Sequence, residues 1–347
     1  MGRRKWGLLL LAVALTATGG LLYATGVVGP RDEYYWGAWK EKSGPVVLSD
    51  KRFVGRSAEQ GPAPAADRPE GWCSVTAWTK KIDFLDGPTT VRQEVRADYG
   101  ALPSGGGARR EWVDRYLSPW STRFPDGLPG LVGEESAVLA LPRQCDAEGQ
   151  QRFVTLSVTA VGERGPWKEP RDPYRDARGV ARMAVDVANT VMRGLGCAPA
   201  RPFELKSPLQ GLRAATDHRD PPGFGESRAC RIEGLRFAQR YTSSDWPSQW
   251  VGVVDRDLHT CELFHPKAAE PTRLVMVAHP RLVTVFETMP TRATERWALR
   301  KSRCDGRPTY FYLRVGADGP VPRPNADAAL RTFQNAVLAR LGCAADD

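Results

Sequence analysis

None of the familiar catalytic loops occurs in the 347 residues: no phosphate-cradling GxxxxGK[ST], no GxGxxG, no HExxH, no GxSxG elbow and no SxxK dyad. Each absence removes a mechanism whose geometry needs those residues at those spacings. Histidine is scarce, with four in the chain, and the seven cysteines form neither a CxxC pair nor a zinc-ribbon spacing. Lysine-rich blocks are missing too. The net charge of +9 is spread along the chain and rests mainly on arginine, which gives no nucleic-acid footprint and only a diffuse attraction for anionic wall polymers or lipid headgroups.

What is present begins at the N-terminus. Arg3, Arg4 and Lys5 precede a charge-free run from Trp6 to Pro30. Such a run exceeds the roughly 20 residues needed to cross a bilayer as a helix. Positive charge ahead of it predicts a cytoplasmic tail at 1–5, a single span at 6–30 and an extracytoplasmic remainder. The competing reading is a cleaved signal peptide, because Ala17, Gly19, Ala24 and Gly26 are small enough for a peptidase. With no cysteine in the run, a lipid-modified anchor is excluded. In an oxidising compartment the seven cysteines read as disulfides with one left over.

One phrase is written twice. NTVMRGLGCA at 189–198 returns as NAVLARLGCA at 335–344. Ala184, Val187, Val191 and Leu195 match Leu330, Phe333, Val337 and Leu341, spaced to form one apolar stripe on a helix. Gly196 and Gly342 then suit the helix stop. Upstream, FVTLSV at 153–158 matches YFYLRV at 310–315, both with strand-like alternation. Each is preceded by a Cys-Asp pair and a glycine turn, so each cysteine is expected at a strand end entering a hairpin. VLAL at 138–141 and RWAL at 296–299 would be the incoming strands.

The unit is thus strand, cysteine, hairpin, strand, helix, cysteine, and the simplest pairing staples Cys145 to Cys197 and Cys304 to Cys343. Each such bridge stabilises its domain by roughly 4 kcal/mol in the chain-entropy model. In the front halves, Cys73 in GWCSVTAW stands where Cys261 stands in HTCELF, and PTTV at 88–91 answers PTRL at 271–274. The counterpart of Cys230 falls near DEYYWGAW at 32–39, which has no cysteine. The expectation is therefore Cys230 with Cys261, leaving Cys73 as the odd thiol. It could be a buried small hydrophobe, an intermolecular bridge or a partner in another pairing.

The fold class expected is α+β: an N-terminal transmembrane helix, then two duplicated domains, each an antiparallel sheet packed with a C-terminal amphipathic helix. The first runs over 32–200 and the second over 227–347, with a Pro-rich linker at 201–226. The first alone carries an insertion at about 101–130, a place where binding is often grafted. This layout resembles a type of actinobacterial envelope protein, found especially in streptomycetes, with a single span followed by two cysteine-stapled α+β domains. The resemblance rests on the span and the repeated helix end, and implies a location at the cell envelope.

Candidate chemistry is thin. His259, Cys261 and His265 could approach a metal-site pattern, but a disulfide at Cys261 would remove its thiolate, so no metal and no cofactor are expected. Glu134–Glu135 and Asp255 with Asp257 are the available paired carboxylates, and no catalytic residue is assigned. Aromatic faces are the better signal: Trp112, Tyr116 and Trp120 in the insertion, and Trp246 and Trp250 in DWPSQW, are candidates for a binding surface. The expectation is a non-enzymatic extracytoplasmic module that binds, senses or scaffolds at the membrane, with an envelope protein, wall component or lipid as partner. The alternative is an envelope hydrolase of unfamiliar type.

Overall fold

The computed structural model describes residues 33–40, 53–83, 87–162, 177–209, 230, 232, 248–264, 270–291, 293–316 and 325–343. The run at 6–30 and Trp246 lie outside them. Among the described residues no helix is long and apolar enough to cross a membrane.

The first half contains β1 (Glu33–Tyr34), β2 (Trp39–Lys40), β3 (Phe53–Gln60), β4 (Gly71–Asp83), β5 (Gly87–Ala101), α1 (Gly106–Tyr116), β6 (Ser121–Arg123), β7 (Gly130–Gly133), β8 (Ser136–Ala140), β9 (Arg152–Gly162) and α2 (Ala177–Gly194). The second contains β10 (Ser248–Val254), β11 (Leu258–Phe264), β12 (Thr272–Val277), α3 (Thr284–Glu287), β13 (Trp297–Cys304), β14 (Arg307–Arg314) and α4 (Ala326–Leu341). β1 and β2 form a two-stranded ribbon, and the rest form two antiparallel sheets, ordered β3-β4-β5-β9-β8-β7-β6 and β10-β11-β12-β14-β13. Strip β6 and β7 from the first and the two orders are the same, which is the duplication expected from the repeated phrase.

Register sharpens the correspondence. A row of paired residues runs Gln60, Cys73, Ala97, Leu156, Ala137 across the first sheet. Its equivalent in the second is Val251, Cys261, Leu274, Leu313, Ala298. Leu156 and Leu313 therefore correspond, as the matched strands implied. The match of PTTV to PTRL does not hold: Ala97, not Val91, stands where Leu274 stands, because β5 is much longer than β12.

Both copies of the repeated phrase close in the same way. Gly196 at φ 71° and Gly342 at φ 73° are left-handed. The Cys197 N–H donates to Met192 O and the Gly196 N–H to Arg193 O, while Cys343 donates to Leu338 O and Gly342 to Ala339 O. This is a Schellman stop, and in both copies it places the cysteine directly after the left-handed glycine. The stripe upstream is buried: Ala184, Val187 and Val191 in α2, Leu330, Phe333 and Val337 in α4. Each large aliphatic side chain so buried contributes about 1.5–3 kcal/mol.

All three expected disulfides are present, with Cα separations of 5.1 Å for Cys145–Cys197, 5.6 Å for Cys230–Cys261 and 5.3 Å for Cys304–Cys343. Cys304 ends β13 and enters a tight turn in which Asp305 and Gly306 both have positive φ, the hairpin geometry those residues favour. Cys145 differs. It lies in a 3-10 turn, Arg143–Cys145, beyond the end of β8, and the hairpin itself turns at Glu148 and Gly149.

Cys73 is buried and in no disulfide, its Sγ 3.9 Å from Gln60 Oε1. In the 32–39 segment, where the counterpart of Cys230 was expected, Tyr35 shares two features with Cys230. Both residues have positive φ, 58° and 54°, and both are fully buried. Tyr35 packs on Trp39 with ring centroids 3.7 Å apart and donates its hydroxyl to Val95 O. Burial, and then the neighbouring Cys73, push its phenol well above the ordinary range.

Three apolar clusters hold the molecule together. One joins α2 to the first sheet, one joins α4 to the second, and the third lies between the halves. The middle cluster brings Trp112, Val113 and Leu117 of the α1 segment, with Val138 and Phe153 of the first sheet, against Val275, Phe286, Leu299 and Tyr312 of the second half. The order of layers is helix, sheet, short helices, sheet, helix. Two sequence expectations change. The insertion at 101–130 contributes Trp112, Val113 and Leu117 to the interdomain core, and the segment read as linker is docked over residues 201–209. There the Asn189 side chain bonds Phe203 N and O, and Asp126 accepts from Lys206 N and Ser207.

Candidate functional site

α1 begins after Gly105, at φ 88°, and is gripped from both sides. Arg109 donates to Pro103 O in its own half and to Thr284 O and Val285 O in the other. Asp114 sits between two cations, 2.7 Å from Arg314 and 3.5 Å from Arg273. Arg273 in turn pairs with Glu262, whose side chain is 1% exposed. Burial raises the Asp114 carboxyl pKa, and Arg273 and Arg314 oppose the rise. Arg281 makes a two-pronged pair with Asp146, 2.7 Å to each oxygen. Arg123 holds Asp255 at 2.7 Å, and Arg307 holds Asp257 at 2.9 Å. The paired carboxylates Asp255 and Asp257 are thereby committed to ion pairs, and Glu134–Glu135 form the turn between β7 and β8.

The aromatic candidates are not the open surface expected of them. Trp112 and Tyr116 are buried, their rings 5.2 Å apart, with Trp112 edge-on to Phe153. Trp120 lies 3.8 Å from Trp250 and donates Nε1–H to Glu262 at 3.0 Å, joining the insertion to β10. These residues were expected outside because their local sequence is polar. Trp120 is covered from the other half, more than a hundred residues away, while Trp112 and Tyr116 pack on Phe153 and Thr155 of their own.

The metal pattern dissolves for similar reasons. Cys261 is bonded to Cys230, and His259 is fully buried, its Nε2 3.1 Å from Cys230 O. His265 lies outside the described residues. Cys304, Asp305 and Cys343 also lie close together, but both sulfurs belong to a disulfide and have no thiolate to offer.

A cleft does remain, along the flank of α1 that faces the first sheet. Its volume is about 630 Å³, within the range of small-molecule sites. Trp72 of β4, Asp98 and Gly100 of β5, and Phe153 and Thr155 of β9 face Glu111, Trp112, Arg115 and Tyr116 of α1 across it. Gly100, at φ 152°, stands opposite Phe153, and its missing side chain leaves room for Glu70 to fold in, with Cγ 3.0 Å from where a Cβ would be. Glu70 meets Arg152, whose side chain is 3% exposed, at 2.9 Å. Arg96 pairs with Asp98 at 2.7 Å and stacks its guanidinium 4.9 Å from the Trp72 ring centre. Tyr116 is raised in pKa chiefly by burial, with a hydrogen bond to Thr155 opposing.

Trp72, Asp98 and Glu70 escaped the sequence reading. One signal was available: if Cys73 faces the α2 side of β4, strand alternation puts Trp72 on the opposite face. Fold and cleft together define a duplicated, disulfide-stapled α+β protein with an aromatic, carboxylate-rimmed groove beside its interdomain helix. Neither a family model, nor a curated protein, nor a solved structure matches the chain.

Proposed function

We propose that this chain is a non-enzymatic binding module of the cell envelope, anchored by residues 6–30 with its bulk outside the cytoplasm, and that the cleft beside α1 is its ligand site. The observation that carries the reading is that cleft: aromatic walls, charged groups already held by partners, and a helix locked in place by the second half. Such a groove is pre-formed, so ligand entry costs little reordering. Three disulfides and the charge-free N-terminal run support the location, as does the resemblance to actinobacterial envelope proteins. The wider basic surface suits anionic wall or lipid neighbours, and a protein partner would use faces other than the cleft.

The test is hydrogen exchange of the purified extracytoplasmic part, residues 32–347, with and without solubilised envelope material. Protection of 98–101, 108–116 and 153–155 is expected, and its loss in Trp72→Ala and Asp98→Asn. Unchanged exchange at all three segments overturns the reading. Three carboxylates at the cleft, Glu70, Asp98 and Glu111, are what favours the alternative of an envelope hydrolase. Recovery of the bound material shortened or de-esterified would decide for it.

A further inference from the structure

The cleft's chemistry says more about its ligand than its shape does. The chain carries a formal charge of +9, yet two of the groove's three carboxylates are already paired. Glu70, Asp98 and Glu111 line it with one guanidinium, Arg115, while Arg152 and Arg96 hold Glu70 and Asp98 from outside the lining. Both pairs are direct, Glu70–Arg152 at 2.9 Å and Asp98–Arg96 at 2.7 Å. Glu111 and Arg115 are four residues apart on α1 and share one helix face.

A charged ligand gains little here. An anion would meet three carboxylates and a single lining guanidinium, and a cation would have to draw Glu70 from a nearly buried Arg152, stranding a charge. A ligand with many hydroxyls and no net charge fits without either loss. Its hydroxyls can donate to the carboxylate oxygens and accept from the Arg115 N–H groups. Its apolar C–H faces can lie on Trp72, the aromatic residue of the lining that is not buried. Trp72 is well suited to this, because stacking against Arg96 fixes the ring before any ligand arrives.

Building on the binding-module reading, we propose that the cleft takes a neutral sugar segment, in which ring stacking supplies affinity and the ion-paired groups supply orientation. Binding would then be nearly indifferent to salt, unlike attraction to the basic surface, which is screened.

Residues 32–347 would be titrated with a tetramer of N-acetylglucosamine, a neutral glucan tetramer and poly(glycerol phosphate), each followed by calorimetry and hydrogen exchange. Expected is saturable binding of at least one neutral tetramer, with affinity changing less than about twofold between roughly 0.05 and 0.5 M salt. Exchange protection should fall on 98–101 and 108–116. Trp72→Ala should weaken binding about tenfold or more, the loss of most of one ring's contact area, and Trp72→Phe should recover much of it. Both variants would be checked for native near-ultraviolet circular dichroism, and Asp98→Asn provides a second substitution at a partly exposed position.

Absence of binding by both neutral tetramers overturns the sugar proposal. So does binding that Trp72→Ala leaves unchanged. If only the polyphosphate binds and the protection still falls on the cleft, the ligand class is wrong and the binding-module reading survives. If a neutral tetramer binds and is shortened, the ligand class stands and the non-enzymatic reading fails.

Discussion

His259 spends its one visible hydrogen bond on a backbone carbonyl, Cys230 O, and lies edge-on to Phe333 with ring centroids 5.6 Å apart. Burial drives its pKa down to about 3, with the Arg340 charge adding to the effect. The sign of the consequence follows. The folded chain keeps this imidazole neutral, while the unfolded chain takes a proton near pH 6.5, so stability is unaffected above that pH and is lost as pH falls from about 6.5 towards 3. At full effect the loss approaches 1.4 kcal/mol per pH unit. Urea unfolding at pH 7.5 and 5 should show a smaller difference for His259→Gln than for the parent, and equal differences would count against this assignment. The same residue shows what single positions reveal in a sequence. Strand alternation put His259 and Cys261 on one face, but nothing local distinguished a ligand pair from a core histidine beside a cystine.

Elements were legible where their periodicity and their end signals agreed. α2 and α4 carry an apolar stripe and a glycine stop, so both were readable from the repeated phrase, and the strand matched at Leu156 and Leu313 came with them. α1 was readable as a short helix but not as core. Arg109, Arg110, Glu111, Asp114 and Arg115 make GGARREWVDRY look like a surface element, and its burial depends on Arg273, Arg314 and Tyr312 in the other half. Deleting residues 101–130 should therefore abolish folding rather than trim a loop, and loss of the cooperative thermal transition would show it. The buried pair beneath α1 gives a finer test. Glu262→Leu should destabilise by about 3 kcal/mol because Arg273 and the Trp120 N–H lose their acceptor. Adding Arg273→Met should restore part of that, with a coupling of about 0.5–3 kcal/mol in a double-mutant cycle read from denaturant midpoints.

At the scale of the molecule, two sequence-defined domains behave as one. Trp112 and Phe153 from the first half meet Phe286 and Tyr312 from the second in a single apolar cluster, reinforced by the pairs of Asp114, Arg123 and Arg281 across the boundary. Thermal unfolding should be a single transition with calorimetric and van't Hoff enthalpies equal. All three disulfides close within one half or the other. A chain nicked between 210 and 226 should consequently co-elute as one species in native gel filtration, yet run as two fragments on a denaturing gel without reductant. Separation under native conditions would mean that the shared core is too weak to hold the halves. This joining was the part of the architecture least accessible to sequence, because a repeat announces copies and says nothing of how copies pack.

The front of the second half is closed by Cys230–Cys261, while that of the first holds Cys73 in no disulfide beside a buried Tyr35–Trp39 pair, and this gives the two halves different vulnerabilities. A missing bond-forming catalyst or a burst of reductant would reach the front of the second half and leave the front of the first untouched, since a Tyr–Trp pair has nothing to reduce. Any ancestral copy with a bridge at both places would have depended on oxidation twice at this seam. The present chain depends on it once, and the half without that bond is the one whose β4 carries Trp72 at the rim of the cleft.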